Sequence, residues 1–583
     1  MYLKSITIKN FRKIKSAKCS FNPGLNLIIG PNDSGKTAVI DTIRIVLKQI
    51  VDDYFRINDE DFNEIDQPIE IELLFSFMYS KTWISDSAYF AEYLHFTPKN
   101  KPRLKIWYSV KSGENNTRFP NFKIGPTKDV AVEMDAKCKD NFKVVYLRPL
   151  RDAENELRAK QGSRISKIFN KHGDITSQKD VLIKILKDFK DKSESFFDSG
   201  AGIDIKTDIT ELLEKFDDQS YLRKDIKIGP TELSTDPKNE NQNLLRFLER
   251  ISLYYDNLKK PGLGTQNMIF IAAELLHLKK QAVPKILLIE EVEAHLHPQR
   301  QLKIIKALQE KSKDGIQMVL TTHSPNLASV VDVERLNVCF DGEFYSLAKK
   351  ETELSKKNYT YLARFLDITK ANLFFAQGVI LVEGPTEQLL VPEFAKILGH
   401  DLTDIGVSVI STNNLGFDNF VNIFKRKNEP YNKIPVAVIT DADRKNSTSL
   451  AQYKTRIDDT NNKVVCCIGR QLYSDDQLAR EENIMSTFEK IIFKNTVLIK
   501  GLYIKAYNSI HPDHVDQSIE FISFYGKIKK EKAIIAQEVA QLLSEVQEPV
   551  KSELKAEIET NLEYIVSAIV HVIPVTSPLT SEE

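Results

Sequence analysis

The sequence predicts an α/β chain of two successive sheet-based units, the first interrupted by a helical insertion and the second closed by helices. Three observations predict it. A loop of the form GxxxxGK[ST], Gly30 to Thr37, lies between an apolar strand and an amphipathic helix. The short buried strands KILLI (285–289) and QMVLT (317–321) resume after a long charged interruption. Further on, VILVEGPTE and PVAVITDAD each end an apolar run in paired carboxylates, Glu383 with Glu387 and Asp441 with Asp443. In open α/β sheets, ligands gather in the crevice outside strand C-terminal ends, so both acidic pairs stand where chemistry collects.

Taken in order, MYLKSITIKNF and LNLIIG read as strands flanking a turn at Asn22-Pro23-Gly24. From Thr37, a helix places Val39, Ile40, Ile43, Val46, Leu47 and Ile50 on one face. PIEIELLFSF (68–77) alternates at Ile69, Ile71, Leu73 and Phe75, and LKIWYSV and FKVVYLRPL continue the β-rich character. Residues 152–227 are charged and helical, an arm that either pairs with another copy or packs within one monomer. The resulting division is 1–151 and 228–345 for the first unit, 152–227 for the insertion and 370–575 for the second unit. Strands of the second unit are expected at 378–382, 406–411, 434–440 and 463–468, with helices over most of 480–575.

Composition narrows the class. A chain of 583 residues exceeds one core and suggests about three or four domains. Lys+Arg and Asp+Glu balance at 81 each, so any surface for nucleic acid has to be local. Lys527, Lys529, Lys530 and Lys532 in SFYGKIKKEK form one such concentration, which by itself reads as a solvated loop. The five cysteines (19, 138, 339, 466 and 467) show neither a disulfide framework nor zinc spacing. No signal-type or membrane-spanning apolar run is present in the sequence, and the expectation is a cytoplasmic protein without membrane attachment.

The phosphate loop has a physical reason for its spacing. Its glycines let backbone N–H groups wrap phosphates; Asn32 and Gly35 shape the loop, Lys36 neutralises charge, and Thr37 can hold Mg²⁺ at a helix N-terminus. KILLIEEVEAHLHP then ends a strand in Glu290, a candidate for the Mg²⁺ shell, and Glu291, a candidate to orient or activate water. VLTTHSP places His323 after the next strand, where an imidazole can sense a γ-phosphate.

ITIKNFRKI, the phosphate loop, the distant IEEVEAHLHP and TTHSP together resemble ABC-type ATPases of the SMC-like group. The resemblance implies two heads sandwiching ATP, each completed by a glycine-rich signature from the other. Gly262, Gly264 and Gln266 in GLGTQ match that signature without its usual preceding serine, which points to ATP acting mainly as a switch. VILVEGPTE, GVSVISTNNLGFDNF and PVAVITDAD, in that order, resemble the Toprim fold. The combination, with YLRPLRDAENEL and ITKANLFFAQGVILVEG, resembles the OLD (overcoming lysogenization defect) family over essentially the whole chain.

That resemblance implies a Toprim nuclease acting on DNA as a homodimer or larger homo-oligomer, often in defence against phage. It makes Glu383, Glu387, Asp441 and Asp443 metal ligands, adds Glu489 from Thr487-Phe488-Glu489, and gives Lys532 a role at the scissile phosphate. The alternatives are an exposed helix glutamate for Glu489 and a surface lysine for Lys532. Oxygen-only ligands favour Mg²⁺ or Mn²⁺. The expected function is ATP-regulated, metal-dependent cleavage of DNA by a two-metal route. A topoisomerase- or primase-like enzyme and an ATP-driven DNA clamp with a structural Toprim part are the competing readings. Family relatives work alone, in Gabija systems beside a helicase, or with a reverse transcriptase and its noncoding RNA.

Overall fold

The antiparallel sheet at the start of the chain is built on alternation. Strands β1 (Tyr2–Phe11) and β2 (Ile14–Ser20) form a hairpin, and β4 (Ile69–Ser76) buries Ile69, Ile71, Leu73 and Phe75 while its intervening residues stay half-buried. With β6 (Pro102–Val110), β7 (Asn121–Gly125) and β8 (Val132–Glu133) the order is β2-β1-β4-β6-β7-β8, and β5 (His95–Phe96) pairs with β6. The β2 strand was not anticipated in IKSAKCS. Its lysines face solvent, and only Ile14, Ala17 and Cys19 are buried.

The structure, a computed structural model, describes residues 1–47, 57–77, 90–99, 101–112, 120–134, 142–147, 201–216, 226–230, 251–255, 285–413, 416–440, 464–468 and 487–573, with a few single positions between 188 and 275. They divide into two compact units, Met1–Ile28 with Gly35–Leu327, and Ile29–Ser34 with Ala328–Glu583. Most of the 152–227 insertion lies outside the described residues. Its described part contains the helix Ala201–Phe216, but the expected helical character does not reach Lys227. Ile226–Pro230 (β10) is a strand paired antiparallel with Ile251–Tyr255 (β11). The β-branched alternation of Ile226 and Ile228, closed by Gly229-Pro230, favours that outcome.

In the first unit, β9 (Lys143–Leu147), β12 (Lys285–Ile289) and β13 (Gln317–Thr322) run parallel, with β3 (Leu25–Ile29) next to β13. All residues of β3 and β13 are buried, as expected of strands covered on both faces. The helix Lys36–Leu47 follows β3 and buries Val39, Ile40, Ile43, Val46 and Leu47. The helix Pro298–Lys311 connects β12 to β13, with Pro298 opening it and the His297 ring accepting from the Gln299 N–H.

The second unit begins with the antiparallel hairpin β14 (Leu336–Phe340) and β15 (Glu343–Ser346), formed within a stretch whose sequence was not distinctive. Four parallel strands follow in the order β17-β16-β18-β19: β16 is Gly378–Val382, β17 Val407–Ser411, β18 Val436–Thr440 and β19 Val464–Ile468. Six helices between Phe488 and Val572 close the unit, and their apolar faces share a core with Ile380, Val382, Ala437 and Ile439 of the sheet. The lysine-rich SFYGKIKKEK is not a loop. Phe521–Ile528 is a helix that buries Phe524 and Ile528, and Lys532 opens the next one. Among the described residues no helix is long and apolar enough to cross a membrane.

Candidate functional site

The phosphate loop leaves β3 and enters the helix Lys36–Leu47 directly, so its N–H groups meet a helix N-terminus. Gly30 has a physical reason to be glycine: its φ is +147°, and a Cβ there would stand 2.1 Å from the Cys339 carbonyl oxygen. The β14–β15 turn braces the loop, with Gly342 N–H donating to Ser34 O at 2.8 Å and Cys339 Sγ to the same oxygen at 3.0 Å. Asn32 is exposed, and Lys36 is 5% exposed.

Glu290 follows β12, is 7% exposed, and comes to the start of the loop's helix: Thr37 Oγ1 donates to its Oε2 at 3.4 Å. Tyr146, at the end of β9, donates to Oε1 at 2.7 Å. Burial raises the Glu290 carboxyl above the ordinary range, and the Tyr146 hydrogen bond works against that shift. The Arg44 guanidinium lies 3.7 Å from the Tyr146 ring centroid and ion-pairs with Asp41 at 2.6 Å. Asp41 also takes Arg12 at 2.8 Å. Thr37 and Glu290 present neighbouring oxygens, a donor chemistry that suits a hard cation.

Glu291 holds φ +45°, a left-handed conformation that costs a side-chain-bearing residue about 1–2 kcal/mol. Its N–H is anchored on Thr321 Oγ1 at 3.1 Å. Glu293 was not singled out in the sequence, yet its Oε1 accepts the His323 backbone N–H at 2.5 Å and so ties the strand-end acids to the histidine loop. Burial pushes its carboxyl up, and Oε2 has no hydrogen-bond partner among the described residues. Gly264 sits so close to this loop that a Cβ would fall 2.5 Å from the His295 carbonyl oxygen. That gives the glycine a packing reason within its own chain. Gly262 and Gln266 lie outside the described residues.

In the second unit, Glu383 follows β16 and accepts from the Thr440 hydroxyl at the end of β18. Gly384 then caps the helix Pro385–Leu398, and Glu387, third in that helix, reaches back to the Gly384 N–H at 3.1 Å. Glu387 is 7% exposed, and its carboxyl is pushed up to about 7, first by burial and then by the charges of Glu489 and Glu383. Glu489, in the first turn of the helix Phe488–Asn495, is 5% exposed and therefore not an exposed helix glutamate. It accepts from Thr386 Oγ1 at 3.4 Å and pairs with Lys532 at 3.0 Å. Lys532 is thus not a free surface lysine. Tyr503 is wholly buried beside Glu489 and Glu387; burial first, and then the charges of those two acids, raise its phenol well above the ordinary value.

Glu383 and Glu387, from one strand-to-helix turn, are brought together with Glu489, about a hundred residues further along the sequence. Asp441 and Asp443 lie outside the described residues. Among the described residues no three His, Cys, Asp or Glu side chains are arranged to hold a metal ion. The donor chemistry nonetheless suits a hard divalent cation: the groups are oxygen-only, and mutually repelling carboxylates are relieved by positive charge. Tyr146 and Glu293 are the contributors that the sequence reading missed. Tyr146 stood in YLRPLRDAENEL without an assigned role, and Glu293 stood in the same IEEVE run as two assigned acids.

A phosphate loop facing a buried strand-end glutamate, followed by a parallel sheet with clustered acids, defines an ATPase joined to a Toprim domain. The family model described as "AAA domain, putative AbiEii toxin, Type IV TA system" matches residues 25–329, and that described as "Overcoming lysogenization defect protein-like, TOPRIM domain" matches 374–443. The chain belongs to the first family, whose model covers more than half of it, and carries an OLD-like TOPRIM domain after the ATPase domain, the domain pair of an OLD-like nuclease. The Old nuclease of Escherichia phage P2 is 22% identical over 561 residues, 88% of this chain and 89% of that protein. The OLD nuclease of Thermus scotoductus is 24% identical over 469 residues, 76% of this chain and 82% of that protein. Endonuclease GajA of Bacillus cereus is 24% identical over 430 residues, 68% of each chain.

Proposed function

We propose that this chain is an ATP-regulated, divalent-metal-dependent DNA endonuclease or nickase, acting as a homo-oligomer in defence against phage. The observation that carries the reading is the meeting of Glu383, Glu387 and Glu489 with Lys532 at the strand ends of a parallel Toprim sheet. The similarity to nucleases of a phage and of bacteria supports DNA as substrate, and the similarity to GajA supports the defence role.

Glu383, Glu387 and Glu489, with Asp441 and Asp443, would hold Mg²⁺ or Mn²⁺. When bound, such cations supply an activated water and charge stabilisation for the departing oxygen of a phosphodiester. The chain's own part is positioning: Thr440 orients Glu383, the Gly384 N–H orients Glu387, and Lys532 brings positive charge to the phosphate. In the ATPase, Lys36 would neutralise the phosphates, Thr37 and Glu290 would hold Mg²⁺, Glu291 would orient water and His323 would sense the γ-phosphate. Gly262, Gly264 and Gln266 would complete the site of a second copy, and residues 152–227 would help pair the copies. In this scheme 1–151 and 228–345 form the ATPase, and 370–575 form the nuclease.

The test uses supercoiled and linear DNA with Mg²⁺ or Mn²⁺, with and without ATP. Wild type should nick or cut, and Asp441→Ala should lose that activity by about a hundredfold or more. Lys36→Ala should alter the response to ATP. Closed, relaxed topoisomers would instead indicate a topoisomerase. Intact DNA under every metal condition would contradict the proposal.

A further inference from the structure

Lys532 is the first residue of the helix Lys532–Ser544, and its Nζ lies 3.0 Å and 3.1 Å from the two carboxylate oxygens of Glu489. A cation is the wrong charge for a helix N-terminus, where the backbone dipole is positive. Local helix preference therefore does not explain this lysine. The acids nearby do: Glu489 and Glu387 each sit in the first turn of another helix, as that dipole favours, and both are buried. The pair is asymmetric. The Glu489 side chain is 6% exposed, whereas that of Lys532 is 30% exposed, so the carboxylate is fixed and the ammonium has room to leave. In the same position Nζ lies 4.7 Å from the Tyr525 ring centroid, a contact with the lysine that does not depend on Glu489.

We infer that Lys532 is a built-in counter-cation: it occupies Glu489 until a divalent cation takes that carboxylate, and the ammonium so released is the one that meets the scissile phosphate. The inference deepens the two-metal reading and rests on it. One group thus serves in two states. Before metal binds, it keeps a buried carboxylate from standing uncompensated beside Glu387 and Glu383, an arrangement that is costly in a low-dielectric site. After metal binds, positive charge on Glu489 is kept by exchange, and Lys532 is delivered to the phosphate only when the cations are present. A lysine that merely preorganised Glu489 would have the opposite effect on metal affinity, because its removal would leave the ligand misplaced.

Mn²⁺ binding to the full chain, followed by electron paramagnetic resonance without nucleotide and in a Thr37→Ala background, separates these cases. Lys532→Met should bind Mn²⁺ about tenfold more tightly than its parent, a change of about 1.4 kcal/mol. Lys532→Arg, which keeps the ion pair, should stay near the parent, and Lys532→Gln replaces the Met variant should that one fail to fold. Glu489→Gln should abolish the difference between Lys and Met at 532. Unchanged or weaker binding in Lys532→Met, together with weakened binding in Glu383→Gln, overturns the exchange while leaving the metal site standing. Unaltered binding in Glu383→Gln overturns the metal site itself.

Discussion

Two buried glutamates, one in each unit, carry their charge in different ways. Glu290 is surrounded by neutral donors, with the Tyr146 hydroxyl on one oxygen and that of Thr37 on the other. Glu489 is matched by a full positive charge from Lys532. Hydroxyls can rotate and keep their bonds while a cation is added, so under the proposed function the first site would gain Mg²⁺ along with a nucleotide. An ammonium and a divalent cation cannot share one carboxylate face without repulsion, so under the proposal the second site would exchange one for the other. The difference fits a site that cycles with nucleotide and a second that stays closed until metal and substrate are present.

The largest expected effect on the first side is from Glu290→Gln, which keeps the shape and removes the charge. ATP hydrolysis should fall about a hundredfold or more, while binding of a fluorescent ATP analogue persists; an unchanged hydrolysis rate would remove Glu290 from the Mg²⁺ shell. Gly264→Ala comes next. Its methyl would meet the His295 carbonyl oxygen at 2.5 Å, and the forced shift should cost about 1–3 kcal/mol in denaturant unfolding. Tyr146→Phe removes one donor from Glu290 and should lower stability by about 1 kcal/mol, with a matching loss in nucleotide-dependent protection of the ATPase.

The smallest effect is one of pH. Burial raises the Glu293 carboxyl, so the folded state holds its proton more firmly than the unfolded state. The associated stability is fully present below the unfolded carboxyl's value and is lost as pH rises through the raised folded value. Glu293→Gln cannot ionise and can still accept the His323 N–H. Its melting temperature should therefore fall less than that of wild type between about pH 4 and pH 8. Parallel curves would show that Glu293 carries no such penalty.

What was legible in the sequence was what neighbours along the chain decide. The strand expected at 434–440 is Val436–Thr440, and the one at 378–382 matches Gly378–Val382, because uninterrupted apolar runs between turn residues leave little choice. The phosphate loop was equally plain, since strand, loop and helix are contiguous. Strand β2 was missed because Lys15 and Lys18 break its apolar run; its inward face shows only through pairing with β1. Tyr146 on Glu290, Glu293 on His323 and Lys532 on Glu489 span separations of 144, 30 and 43 residues. Such pairings belong to tertiary structure. Glu489 and Lys532 were reached individually through family resemblance, but nothing in the sequence indicated that they hold each other.

The most direct test of the account is cleavage of supercoiled DNA over a Mn²⁺ titration by wild type, Glu383→Gln and Glu290→Gln, each with and without ATP. Metal-dependent strand breakage is expected from wild type, and Glu383→Gln should lose it about a hundredfold or more at every metal concentration. Glu290→Gln should still break strands, with an altered response to ATP. Equal cleavage by wild type and Glu383→Gln would contradict the account, because the strand-breaking centre would then lie away from the acids of the Toprim sheet.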